Sequence, residues 1–163
     1  MDYSSPPGNS SRKRGRFVIE LIKLTLIAFI IILPIRFFIA QPFIVSGTSM
    51  QPAFQAGNYL IIDLLSYRFE QPQRGDVVVF RYPLDPSLFY IKRIAALPGE
   101  TVVEDSGVLV AKGATTSPTL TLAKDEYFML GDNAPESSDS RQWGPLQRKF
   151  IVGRVLVRAW PLF

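Results

Sequence analysis

Four short stretches hold the residues that could do chemistry: SGTSMQP (46–52), RGDVVVF (74–80), FYIKRIAALPGE (89–100) and GDNAPESSDSRQWGP (131–145). In the first, Ser49 reads in two ways. Gly47 frees the backbone and Pro52 stiffens the exit, which suits a plain turn. Alternatively, Ser49 is a nucleophile, and a serine nucleophile needs a base. Histidine is the usual base, and the chain has none. It also has no cysteine, so thiolate chemistry, disulfides and most zinc sites are excluded. Acid–base work falls to Lys, Asp, Glu or Tyr.

Lysine can replace histidine beside a serine, provided that the amine is neutral. A free lysine has a pKa of about 10.4, so near pH 7 only about one in a thousand is neutral. Burial disfavours the ammonium and lowers that value by up to ~3–5 units. The chain has six lysines. Lys13 and Lys23 belong to the basic, apolar N-terminal region, Lys112 and Lys124 lie near loops, and Lys149 precedes the last strand. Lys92 alone lies inside an apolar strand. Alternate residues of a strand share a face, so Tyr90, Lys92 and Ile94 lie together, opposite Ile91, Arg93 and Ala95. Two adjacent cations cannot both point outward, and one of them faces the apolar side or snorkels to water. The polar stretch at 131–145 reads as a solvated loop of turn formers, or as the source of a hydroxyl that orients the amine. Arg74-Gly75-Asp76 suggests a turn at a strand start and no chemistry.

The elements that must position these residues follow from the hydrophobic pattern. Residues 1–11 are rich in Pro, Gly and Ser, and predict a disordered start to a basic arm at 1–16. Arg12, Lys13, Arg14 and Arg16 against Asp2 leave that arm at +3 of the chain's net +4. Nucleic-acid binding calls for a basic stripe on the folded body, so this distribution favours a membrane surface. Residues 17–40 predict a single transmembrane anchor. Leu24–Ile35 carries no charge, and Glu20, Lys23 and Arg36 lie toward the ends. The flanking basic residues place the arm in the cytoplasm and everything after Ala40 outside. A cleaved signal peptide fits less well, because the apolar stretch is overlong and no A-x-A site follows closely. Residues 41–163 predict a mainly β, antiparallel domain. Its strands are expected at 58–65, 76–82, 89–97, 126–130 and 150–160, with a hairpin over 101–113 turning at Asp105-Ser106-Gly107 and a loop at 113–119.

Taken in order behind a basic-flanked anchor, SGTSMQP, RGDVVVF, YIKRIAALPGE and GDNAPESSDSR resemble the bacterial type I signal peptidases, or leader peptidases. The likeness runs over roughly residues 12–163. It implies that Ser49 is the nucleophile, Lys92 the general base and Ser137 the hydroxyl that orients the lysine amine. Asp139 and Arg141 match a pair that braces the site. Phe43, Val45, Met50, Phe54, Tyr90 and Ile91 are implied to line shallow pockets for small residues. Phe43–Val45 and 89–94 could offer the two edges to which an extended peptide adds as a strand. The implied fold is a mostly β catalytic domain held against a lipid bilayer. The implied partner is a secretory preprotein, cut on the outer side of the membrane, and no metal or organic cofactor is implied. One departure stands out. Some members of that family carry a serine two positions before the nucleophile, which lends its hydroxyl to the oxyanion hole, and here that position is Gly47.

Two other readings use the same residues. Self-cleaving repressors of the DNA-damage response share the Ser-Lys pair on a related β fold, but they are soluble. A membrane-tethered peptide-binding β module would leave Ser49 and Lys92 incidental.

Overall fold

The computed structural model describes residues 10–34, 40–104, 106, 109 and 117–159. The start of the basic arm, the end of the apolar run, most of the 105–116 connection and the last four residues lie outside the described residues, as do the expected turn residues Asp105 and Gly107. The chain forms two units, which divide after Phe38.

The first unit is a helix, α1 (Ser10–Pro34). Its apolar residues do not form one stripe. Every residue from Gly15 to Leu33 is exposed, and large apolar side chains such as Phe17, Leu24 and Ile30 are each more than half exposed. Among the described residues, no helix is long and apolar enough to cross a membrane.

The second unit is mainly β and antiparallel. Its strands are β1 (Ala40–Ile44), β2 (Tyr59–Asp63), β3 (Val77–Tyr82), β4 (Asp85–Ala96), β5 (Thr101–Val103), β6 (Thr119–Thr121), β7 (Glu126–Leu130), β8 (Leu146–Gln147) and β9 (Ile151–Ala159). Seven of them make one sheet in the order β1-β2-β9-β3-β4-β7-β8, and β5-β6 form a separate pair. The VVVF run of β3 is apolar on both faces because both faces are covered. Val78 and Phe80 pack with Tyr67, Ile94, Tyr127, Met129, Leu146 and Ile151. Val79, on the other face, packs with Val45, Leu60 and Ile62. Ala96, Val102, Leu122 and Phe128 join the small pair to the main sheet.

Three details differ from the sequence reading. β1 is a strand in its own right, and its Pro42 is tolerated because β1 ends the sheet. β5 takes its ladder partner from β6; of the expected return strand only Leu109 lies among the described residues, and it bridges to Val102. A short helix, α2 (Ser140–Trp143), interrupts the expected polar loop.

The sheet is curled. β1 and β4 are separated by three strands in the sheet order, yet the Phe43 and Phe89 rings meet at 5.5 Å between centroids. Irregular register in β2–β9 and β3–β9 accompanies the curl. At Gly153 the backbones come so close that a Cβ would lie 2.2 Å from the Asp63 carbonyl oxygen. Among the described residues, the outer edge of β1 is unpaired. β4 gains a second neighbour only from Arg93 onward, so its edge before that residue is also free. Two strand edges therefore flank one cleft.

Candidate active site

Ser49 sits on the turn between β1 and β2. Gly47 adopts a φ of +89°, a conformation that L side chains rarely take. The Gln51 N–H donates to the Thr48 carbonyl at 3.0 Å and closes the turn. Met50 is 1% exposed and anchors the turn from below, which leaves Ser49 at the surface of the cleft.

Lys92 comes from β4, opposite Val78 in β3. The strand period puts Lys92, Ile94 and Ala96 on the buried face, and Lys92 is 4% exposed. Its Nζ lies 2.7 Å from Ser49 Oγ and 3.1 Å from the Ile91 carbonyl oxygen. Burial pulls its pKa down from 10.5 to about 8, although the Asp139 carboxylate pushes the other way. At pH 7 roughly a tenth of such amines are neutral, against fewer than one in a thousand for a free lysine. Arg93 turns to the opposite face, where its guanidinium donates to both oxygens of Asp132 at 2.8 and 2.7 Å. The adjacent cations are thus separated by the pleat, as the alternation argument requires.

The turn at 131–133 docks on the serine. The Asn133 N–H donates to the Ser49 carbonyl at 3.0 Å, and the Asn133 side-chain amide donates to the Thr48 carbonyl at 3.2 Å. Gly131 must be glycine because of space. A Cβ there would lie 2.2 Å from Ser137 Oγ and 2.6 Å from the Ser49 carbonyl oxygen. Sequence reasoning had passed over Gly131, Asp132 and Asn133 as turn formers. Their positions relative to Ser49 are a long-range matter that no local pattern encodes.

Behind this turn lies Asp139, fully buried. Burial alone would raise its pKa, but hydrogen bonds from Arg141, Ser137 and the backbone hold it below the ordinary value. Arg141 donates Nε to Oδ1 and Nη2 to Oδ2, both at 2.8 Å, and the Gly131 N–H donates to Oδ2 at 3.0 Å. The expected brace between Asp139 and Arg141 is present as geometry. The expected contact of Ser137 with the lysine amine is not. The Ser137 hydroxyl donates to Asp139 Oδ2 at 2.6 Å, and the amine takes Ser49 and the Ile91 carbonyl instead. A carboxylate is a stronger acceptor than an uncharged partner, which accounts for the preference.

Ser49 and Lys92 open into a cleft of about 520 Å³. Phe43, Val45, Tyr90 and Ile91 line it, and Met50 and Phe54 do not. Met50 is directed into the interior, and Phe54 packs against the Val45–Leu60–Ile62–Val79 cluster. Leu88 and Phe89, two residues upstream on β4, also line the cleft, as do Glu136 and Ser138. Leu88 and Phe89 could have been found from the strand run, whereas the polar pair carried no sequence signal.

A buried amine within hydrogen-bond distance of a hydroxyl, at the end of a cleft with two open strand edges, is an arrangement suited to acyl transfer to serine. A family model for signal peptidases, peptidase S26, matches residues 18–121 and 111–160. The chain belongs to the signal peptidase family. It is 33% identical over 165 residues to a probable signal peptidase I-1 of Synechocystis, covering 90% of this chain and 84% of that one. It is also 33% identical over 176 residues to a signal peptidase I of Leptolyngbya laminosa, covering 96% and 86%. A crystal structure of a signal peptidase I from Enterococcus faecalis shares 30% identity with a TM-score of 0.42, covering 54% of this chain and 98% of that one. By its family model and these sequence relatives, this signal peptidase is an enzyme, a serine peptidase that hydrolyses peptide bonds. The non-catalytic β module loses its support.

Proposed function

We propose that this signal peptidase removes signal peptides from secreted preproteins with a Ser49–Lys92 dyad, cutting after small residues. The 2.7 Å approach of a buried lysine amine to the serine hydroxyl carries the reading. Neutral Lys92 takes the Ser49 proton while Oγ attacks the carbonyl carbon of the scissile bond. The resulting ammonium then protonates the leaving amine, which departs as the new N-terminus of the mature protein. A water next gives a proton to Lys92 and attacks the acyl-serine, and Lys92 returns that proton to Ser49 Oγ as the ester bond breaks and the signal peptide leaves as a carboxylic acid. The Ser49 N–H is one donor to the developing oxyanion. Gly47 supplies no side chain, so a cleft hydroxyl among Ser46, Thr48 and Ser138 is the candidate second donor.

The substrate lies extended along the free edges of β1 and β4, with main-chain hydrogen bonds setting register. The shallow apolar walls around Phe43, Val45, Tyr90 and Ile91 exclude large side chains. Asp139, held by Arg141, Ser137 and the Gly131 N–H, supports the turn that carries Ser49.

The same reading makes residues 17–40 a single-pass anchor, with the basic arm in the cytoplasm and the catalytic domain on the outer side of the membrane. The described part of α1 is not long and apolar enough to span by itself, and the support comes from its large exposed apolar side chains together with the apolar residues that continue the run to Ala40. Such a helix is stable in lipid and unfavourable in water. Holding enzyme and signal peptide in one bilayer raises their effective concentration without any new contact. The test is incubation of the full chain with a model preprotein in lipid, followed by sequencing of the new N-terminus. A single cut after an A-x-A-like site supports the reading. No cut, or a cut unrelated to small residues, overturns it.

A further inference from the structure

Two residues that line the cleft carry a formal charge, Lys92 and Glu136. A working Lys92 is neutral when substrate is attacked, and Glu136 then remains as the charge facing the substrate. Its side chain is exposed and, among the described residues, has no hydrogen bond or ion pair. The neighbouring charges are already engaged. Arg141 is held by Asp139 and reaches the Ala134 carbonyl at 3.0 Å, and Arg93 is held by Asp132. Among the described residues, nothing neutralises the Glu136 carboxylate.

Its place in the cleft has a direction. Glu136 ends the 3₁₀ turn Ala134–Glu136, which follows directly on Asn133, the residue that clamps the Ser49 carbonyl. The apolar walls, with Phe43 against Phe89, lie along the strands that lead to Ser49 and Lys92. If the acyl side of the substrate follows those strands, the leaving side emerges past Ser49 toward residue 136.

We infer that Glu136 is a specificity-determining residue that selects for positive charge, and against negative charge, on the first residues of the mature chain just after the cut. The inference rests on Ser49 and Lys92 as the reacting pair. An exposed charge pair is worth little in water, so the effect is modest per residue and screened by salt. About threefold in favour of Lys over Gln, and about threefold against Glu, is the expected size at low ionic strength.

The experiment uses the full-length enzyme in detergent with a set of model preproteins. These are identical except for Lys, Gln or Glu at the first or second position after the cut. Matched substitutions three and four residues before the cut form the second arm. Each kcat/KM is divided by that of the Gln substrate, so that any general loss cancels. The wild type should favour Lys over Glu by about tenfold on the leaving side at low salt, with the ratio falling as salt is added. Glu136→Gln should bring the ratio to about one, and Glu136→Lys should invert it. A ratio that survives Glu136→Gln overturns the inference, as does discrimination confined to the acyl side. If the wild type cleaves none of the set, the proposed function itself has failed, which is a separate outcome.

Discussion

Replacing Lys92 by methionine should abolish cleavage and at the same time make the protein more stable at neutral pH. Folding forces this amine into a site where its pKa is about 8 rather than 10.5. A difference of that size corresponds to about 3 kcal/mol of penalty for keeping the ammonium folded. The sign follows from proton counting. Between pH 8 and pH 10.5 the unfolded chain holds a proton that the folded chain has released, so wild-type stability rises with pH across that window. Below pH 8 both states are protonated and the full penalty persists. Methionine keeps the apolar stem and removes the charge. It loses the contacts of Nζ with Ser49 and the Ile91 carbonyl, which offsets about 1 kcal/mol. The variant should therefore be about 2 kcal/mol more stable at pH 7, and the advantage should shrink above pH 8 and turn into a deficit of about 1 kcal/mol by pH 10.5. Urea unfolding of the full chain in detergent, followed by tryptophan fluorescence at several pH values from 6.5 to 10.5, measures the difference. A Lys92→Met protein that is less stable at pH 7, or whose advantage does not change between pH 8 and 10, would refute the account of this amine.

Further outcomes follow from the same geometry. Ser49→Ala should leave the unfolding midpoint within about 0.5 kcal/mol of wild type while removing cleavage, read by gel mobility of a model preprotein. Gly131→Ala places a methyl group against Ser137 Oγ and the Ser49 carbonyl, so the serine turn must shift. A loss of about 10²-fold in kcat is expected, since an ångström of misplacement is enough for that. Asp139→Asn removes the carboxylate that pushes the Lys92 pKa up and leaves Arg141 unpaired. Both changes disfavour the ammonium, so the pH–rate profile should rise at lower pH than in the wild type, even as the maximal rate falls.

Local pattern carried much of the architecture. The change from an apolar helix to short β runs, the placement of β3, β4 and β7, and the odd position of Lys92 within an apolar strand could all be read from period and composition. The pair Lys92-Arg93 was the sharpest clue, because a strand must send one of two adjacent cations inward. What stayed hidden was set by contacts distant in sequence. β1 was legible only as a possible edge at Phe43–Val45, since Pro42 and a short length give no strand signal. β6 gave no strand signal of its own, because its pairing with β5 rests on packing at Val102 and Leu122. Met50 and Phe54 were implied by the resemblance as pocket walls, yet Met50 is buried and Phe54 packs against the Val45–Leu60–Ile62–Val79 cluster. The role of Ser137 was anticipated as a contact to the amine, and a buried carboxylate two residues away captured its hydroxyl.

The most direct measurement of the central claim is the pH dependence of acylation at Ser49. A model preprotein mixed with excess full-length enzyme and quenched at short times yields the acyl-enzyme, which peptide mass mapping assigns to a residue. The adduct should lie on Ser49, form with a rate that rises about tenfold per pH unit below a midpoint near 8, and be absent in Lys92→Ala. An adduct on another residue, or formation at an undiminished rate in Lys92→Ala, would contradict the account.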